Sequence, residues 1–358
     1  MSRSKIQRPK QRNVERERAI WEEKKKSASH MAARLGSIGE SGRSYRMGCC
    51  ADTIISDVCR KCETRYIIQT HYCRDRLCPI CSWRRSLRLA HRLSDIIAAN
   101  EREKHSRYIF LTLTVRNVPW SELSNQVKTI MASWHRMNKR LKRAAVVIGW
   151  VRAFEVTMSK EDGTAHPHLH VLMQVGPEYF LPENTSPYVY HKKNDLIRQW
   201  KECLHADYDP SISIKAIREA DYEIGRAVTE TTKYISKGSS GVNRLSLDDF
   251  RHYAKAMKGV RAWGAGGRMR ITEEEIDARL HGDEPAIESI CGNCGDNLFE
   301  MREVWSSTQK AYTMKIEIDY NSMKSKTNHN TPIACERVVN FNINSGGGNI
   351  YVGRDVCG

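Results

Sequence analysis

No run of about 18 or more apolar residues occurs in this chain, so a membrane-spanning helix is not expected. The first residues are charged and lack the apolar core of a signal peptide, which leads us to expect a cytoplasmic protein. No internal repeat is found, and that removes repeat architectures from consideration. Acidic residues are in short supply, with 42 Asp and Glu against 58 Lys and Arg. The resulting net charge of +16 and pI near 9.3 point to a polyanionic partner, most simply nucleic acid. Cysteine, by contrast, is plentiful: twelve thiols in a chain expected to stay in the cytosol suggest metal ligation rather than disulfides.

The 358 residues suffice for two or three domains and at least one sizeable core. Residues 1–45, rich in Lys, Arg, Glu and Ser, read as a basic flexible or loosely helical arm. Residues 46–105 read as a Cys-rich module with a linking helix, 106–270 as a further domain, and 271–358 as a C-terminal region of unknown role. Strands are expected at 107–115, 150–158 and 211–217, and after His166. Helices are expected at 121–143, where Leu123, Val127, Ile130, Met131, Trp134, Met137 and Leu141 keep a 3.6-residue period, at 196–204, and at 221–237, stopped by Gly238. The order β-α-β-β-α-β-α predicts an α+β class, a central antiparallel sheet flanked by helices. Past residue 270 the signal fades. Thr272 to Ile276 looks like a helix start, segments around 314–318 and 338–341 look like strands, and 345–348 like a loop.

The most informative stretch is His166-Pro167-His168-Leu169-His170-Val171-Leu172-Met173. In a strand His168 and His170 share one face while Leu169 and Val171 point into a core. Two imidazoles on one face make half a metal site. Pro167 cannot donate to a sheet ladder, which moves weight from His166 to His168 and His170. Upstream, Trp150–Met158 is a strand, and Asp162-Gly163 signals a two-residue hairpin turn. That register sets Glu155 directly opposite His170, on the histidine face. One carboxylate and two imidazoles suit Mg²⁺ or Mn²⁺ with open positions better than a closed structural zinc site.

Cys59-x₂-Cys62 and Cys78-x₂-Cys81, 15 residues apart, have the spacing of a tetrahedral Cys₄ zinc site. Cys73, Cys49, Cys50 and His71 stand as substitute ligands or as part of a second ion site. The basic run Trp83 to Arg88 follows at once, which suggests contact with a phosphate backbone. Cys291-x₂-Cys294 lacks a clean second pair, since Cys335 and Cys357 are distant. Farther along, Glu230 and Tyr234 lie four residues apart on one helix face, with Lys237 a turn later. A tyrosine hydroxyl is a poor nucleophile until a metal or base assists it, so this helix becomes chemically coherent beside a metal site. Glu230 is placed to act as a base on water, and Lys237 to neutralise phosphate charge.

Taken together these residues resemble the rolling-circle replication initiators of plasmids and small phages, in the HUH endonuclease superfamily. Phe110 to Asn117 looks like the first motif, His166 to Leu172 like the metal motif, and Tyr234-Ile235-Ser236-Lys237 like the Tyr-x-x-Lys motif. Glu230 matches the branch with one tyrosine and one catalytic glutamate, and the Cys73…Cys78-Pro79-x-Cys81 pattern is similar to that branch's N-terminal segment. The likeness covers residues 45–270. It implies an HUH nuclease-like sheet in 106–270, preceded by a zinc module. It also implies single-stranded or hairpin origin DNA as substrate, host helicase and polymerase as partners, and no membrane. Tyr234 would attack a phosphodiester to give a 5′-phosphotyrosine and a free 3′-OH. Glu230 would assist hydrolysis at termination, while His168, His170 and Glu155 hold Mg²⁺ or Mn²⁺, with Zn²⁺ in the cysteines. Two alternatives stay open: an HUH transposase or relaxase with the same chemistry, and a zinc-containing DNA-binding regulator. In the regulator, His168, His170 and a cysteine would bind a second zinc and Tyr234 would be core.

Overall fold

The computed structural model describes residues 14–103, 107–143, 147–176, 179, 193–217, 228–229, 231–232, 242–278 and 290–318. At the N-terminal side α1 (Val14–Ser37) and α2 (Ser41–Gly48) are helices. Within α1, Trp21, Lys25, Ala28, Met31 and Leu35 recur at helical spacing and are all buried. Residues 14–37 and 41–48 are thus helical, and in place of the flexible or loosely helical arm expected from composition α1 is packed against the rest of the chain. The stripe is thin and partly built from Lys25 and Ala28, so charge masks it in the sequence. The Lys25 ammonium donates to the carbonyls of Gly48, at 2.5 Å, and Cys50, at 2.8 Å, and pairs with Asp52 at 2.6 Å.

Next come β1 (Thr53–Cys59), β2 (Arg65–Thr70) and the long helix α3 (Pro79–Glu103). Proline suits the first position of α3, because that N–H would lack a helical partner anyway. The second sheet gathers β3 (Arg107–Thr114), β4 (Val147–Met158), β5 (Ala165–Val175), β6 (Ile212–Ile217) and β7 (Trp263–Gly267). Its order is β6-β3-β5-β4-β7, every pair antiparallel, so the histidine strand β5 lies at the centre. Helices α4 (Leu123–Arg143), α5 (Lys193–Leu204) and α6 (Leu247–Ala256) belong to this region, as does α7 (Glu273–Ala278).

The two-residue period of the strands sorts the core into two layers. Leu111, Leu113, Leu169, Val171 and Met173 join Val127, Ile130, Trp134 and Met137 of α4 in one cluster. Tyr108, Phe110, Val151 and Leu172 join Leu89, Leu93 and Ile97 of α3 in the other. The sheet is therefore covered on both faces, an α+β arrangement as expected from the element order. α7 begins with a capping box: Glu275 N–H donates to Thr272 Oγ1 at 3.1 Å, and Thr272 N–H to the Glu275 carboxylate at 2.7 Å.

A four-stranded sheet, β2-β1-β8-β9, is assembled from both flanks of the chain, with β8 (Leu298–Ser306) and β9 (Ala311–Ile318) following the larger sheet in sequence. β8 pairs antiparallel with β1 from Thr53↔Val304 to Cys59↔Leu298. Tyr312 anchors β9: its hydroxyl donates to Ala51 O at 2.7 Å and its N–H to Glu22 at 3.1 Å. Residues 290–318 thus belong structurally with the N-terminal module. The segments around 338–341 and 345–348 lie outside the described residues.

Candidate metal centre

The hairpin β4–β5 builds the site. Ser159 N–H donates to Thr164 O at 2.8 Å, and Gly163, at φ +71°, returns its N–H to Ser159 O at 3.2 Å. Four residues, not two, make the turn. Glu155 therefore pairs with His168, and His170 with Ala153, instead of Glu155 facing His170 as the two-residue turn predicts. The shift is two residues, so by the period of a strand every side chain keeps its expected face. Pro167 costs no ladder bond. Ala165 exchanges backbone bonds with Val118, so Pro167 N faces the same side, where β3 has already ended at Thr114.

Glu155, His168 and His170 are 4%, 7% and 6% exposed. One carboxylate oxygen of Glu155 lies 3.1 Å from His168 Nε2 and 3.3 Å from His170 Nε2. Each ring is held from its far side: His168 Nδ1 has the His166 carbonyl at 3.1 Å, and His170 Nδ1 the Thr112 hydroxyl at 3.3 Å. With Nδ1–H donated outward, both Nε2 lone pairs and the carboxylate point at one spot, an arrangement that could hold a metal ion. Burial pushes the Glu155 carboxyl up, but its bonds to His168 and His170 outweigh that and hold it at about 2. Ligand atoms of the three lie within 4.8 Å of one another, and no cysteine joins the group among the described residues. His166 stands beside them, with Nδ1 2.5 Å from Asn117 Oδ1, and burial lowers its pKa. Thr112 and Asn117 fall within the first motif, yet only the fold assigns them this supporting contact.

The cysteines sort differently from the expected Cys59–Cys62–Cys78–Cys81 set. Cys78 and Cys81 meet Cys50 and Cys73, whereas Cys59 and Cys62 meet Cys291 and Cys294. Spacing alone cannot reveal this, because β1–β2 carries Cys59 and Cys62 toward β8 while α3 starts from Cys78. In the first group, S···S separations are 3.6 Å for Cys50–Cys78 and 3.7 Å for both Cys50–Cys81 and Cys73–Cys81. A zinc tetrahedron with Zn–S of about 2.3 Å sets sulfurs roughly 3.8 Å apart; a disulfide would need about 2.05 Å. The donors fit zinc. Thiol hydrogen bonds from Cys50 hold Cys73 far below the usual thiol range, while the same network raises Cys78 and Cys81.

Glu230, Tyr234 and Lys237 lie outside the described residues. Their neighbours Val228, Thr229, Thr231 and Thr232 are helical. Val228 is 3% exposed and belongs to the apolar cluster of Phe110 and Leu172, on the histidine face. The Phe110 ring in turn stacks on His170 at 5.8 Å.

A feature with no local sequence signal lies three residues before Glu155. Arg152 is 9% exposed, yet among the described residues its Nε has no hydrogen-bond partner and its Nη1 donates to the Arg261 carbonyl, at 3.4 Å. It lines a cavity of about 320 Å³ with Trp150, Arg261, Trp263, Arg270 and Glu273. Burial, then the charges of Arg261 and Arg76, lower its pKa to about 10.

Against known proteins, the model of a family described as replication protein matches residues 64–327. A protein named Protein rep from Streptococcus pneumoniae serotype 2 is 32% identical over 280 residues, 75% of this chain and 83% of that one. Another Protein rep, from Bacillus amyloliquefaciens, is 30% identical over 325 residues, 82% of this chain and 94% of that one. A Staphylococcus aureus replication protein is 37% identical over 221 residues, 58% of this chain and 91% of that one. No solved structure matches significantly.

Proposed function

Starting from a chain that belongs to the replication protein family, we propose that it initiates rolling-circle replication of a plasmid by nicking one strand of origin DNA. The observation that carries the reading is the buried convergence of Glu155, His168 and His170 on one spot. Glu155, His168 and His170 would hold a divalent ion such as Mg²⁺ or Mn²⁺, which would supply Lewis-acid polarisation of the scissile phosphate. The Tyr234 oxygen bonds to phosphorus as the bond to O3′ breaks. The tyrosine proton leaves and the 3′-oxygen takes one up, giving a 5′-phosphotyrosine and a free 3′-OH for a host polymerase. At termination Glu230 takes a proton from water, which then cleaves a second phosphodiester. Lys237 neutralises charge on the phosphate. Val228, packed on the histidine face six residues before Tyr234, supports an approach of that tyrosine to the site. Arg152, whose Nε has no hydrogen-bond partner among the described residues, lines one cavity with Trp150 and Trp263, which supports single-strand contact through a cation for a phosphate and rings for base stacking. Cys50, Cys73, Cys78 and Cys81 would hold Zn²⁺ at the start of α3, which would steady the basic segment 83–88 for contact with DNA.

The test is incubation with single-stranded oligonucleotides spanning a candidate origin hairpin, with Mn²⁺ or Mg²⁺. A covalent protein–DNA adduct is expected, absent in Tyr234→Phe and after chelation. An undiminished adduct in Tyr234→Phe would sink the reading. Glu230→Ala should keep nicking and lose hydrolytic release, and equal loss of both would remove its special role. A relaxase or transposase would use the same chemistry, but the family and its named relatives favour replication.

A further inference from the structure

We propose that Cys59, Cys62, Cys291 and Cys294 form a second zinc site, a clasp of two matched knuckles that locks the β1–β2 hairpin to β8–β9. The inference rests on the cysteine geometry and does not depend on the nicking chemistry.

The two knuckles repeat one backbone design. Cys59 N–H donates to Thr64 O, five residues on, at 2.9 Å, and Cys291 N–H donates to Asp296 O, also five on, at 2.6 Å. In each, the fourth residue after the first cysteine is left-handed: Glu63 at φ 54° and Gly295 at φ 73°. A glutamate in that conformation is strained, and such strain persists where surroundings over-determine it. This turn wraps the two thiols of a Cys-x-x-Cys around one point, and the two turns face each other.

Across the gap Cys59 Sγ lies 3.4 Å from Cys294 Sγ, and Cys62 Sγ 3.5 Å from Cys291 Sγ. All four sulfurs fall within 4.8 Å of one another, near tetrahedral zinc separations and far from disulfide length. Three of the four residues are buried, in a small cluster with Leu298 and Tyr66. Donors already aim at the sulfurs. The Thr64 hydroxyl is 3.0 Å from Cys62 Sγ and the Tyr66 hydroxyl 3.8 Å from Cys291 Sγ. Asn293 Nδ2 donates to Thr64 Oγ1 at 3.4 Å, tying one knuckle to the other. Hydroxyl donors around thiolates are the supporting shell a zinc–sulfur site needs. Four soft sulfur donors with no oxygen or imidazole select Zn²⁺ over Mg²⁺ or Mn²⁺. Binding converts four thiols to thiolates, releases four protons to solvent and changes no oxidation state.

The consequence is topological. Cys62 and Cys291 are 229 residues apart, and the whole larger sheet, β3 to β7, lies between them. The zinc therefore closes the chain into a loop around that sheet. Register places Cys59 beside Leu298 at the very end of the β1–β8 pairing, so the metal pins the ladder where it would otherwise fray.

The test counts zinc by mass spectrometry in the full chain, purified without chelator and dialysed against excess Mg²⁺ to refill the Glu155–His168–His170 site. Two zinc ions per chain are expected. Cys291→Ser with Cys294→Ser should lose one ion, as should Cys73→Ser with Cys78→Ser. Zinc unchanged in the first double variant, or a single ion in the parent protein, would overturn the clasp. If the variants do not fold, X-ray absorption at the zinc edge of the parent decides: sulfur-only, four-coordinate zinc at two ions per chain supports it. Mixed nitrogen or oxygen ligation overturns it, as would disulfides among these cysteines in fresh protein.

Discussion

At the scale of single residues, donor type and strand parity carried most of the candidate site. His168, His170 and Glu155 could be read from the sequence because a strand alternates its faces, and an error of two residues in register leaves that alternation intact. The supporting contacts could not be read, since Thr112 and Asn117 reach the histidines from a neighbouring strand and the segment after it. Replacing the Thr112 hydroxyl with a methyl, in Thr112→Val, removes one hold on the His170 ring. Metal affinity at the site should fall about 10–100-fold, as for other supporting shells, read by Mn²⁺ titration, with little change in melting temperature. On the opposite face of the same strand Leu169 is fully buried. Leu169→Ala should cost about 2–5 kcal/mol of stability by denaturant unfolding while leaving the ligand set in place.

Among the elements, those with dense periodicity matched expectation: β3, α4, the strands β4 and β5, α5 and β6 all fall within a few residues of their sequence signals. Helix α1 did not. Its buried stripe uses one tryptophan, a lysine and small residues, a pattern that composition hides. Trp21 packs edge-on to Trp83 of α3, with ring centroids 5.0 Å apart. Trp21→Ala is therefore expected to lose about 3–5 kcal/mol in urea unfolding; a neutral result would return α1 to the status of a loose arm. The capping box of α7 offers a smaller check. Thr272→Ala should cost about 1 kcal/mol by the same measurement, as N-cap truncations do.

For the molecule as a whole, the basic excess includes a buried member, Arg152, which makes no ion pair among the described residues. Arg152→Ala should weaken single-stranded DNA binding without altering sequence preference. It should also reduce the slope of log affinity against log salt by about 1, measured by titration at several salt concentrations. An unchanged slope would remove Arg152 from the DNA surface. By itself the sequence determined the α+β class, the face each strand presents and the residue types that could hold metal. These are local matters, set by periods of two and 3.6 residues and by side-chain chemistry. Only the tertiary structure decided which cysteines meet, how many residues turn the hairpin, and that residues 290–318 complete the N-terminal sheet. Those outcomes depend on which distant segments close on one another, a competition of packing against chain entropy that no local period encodes.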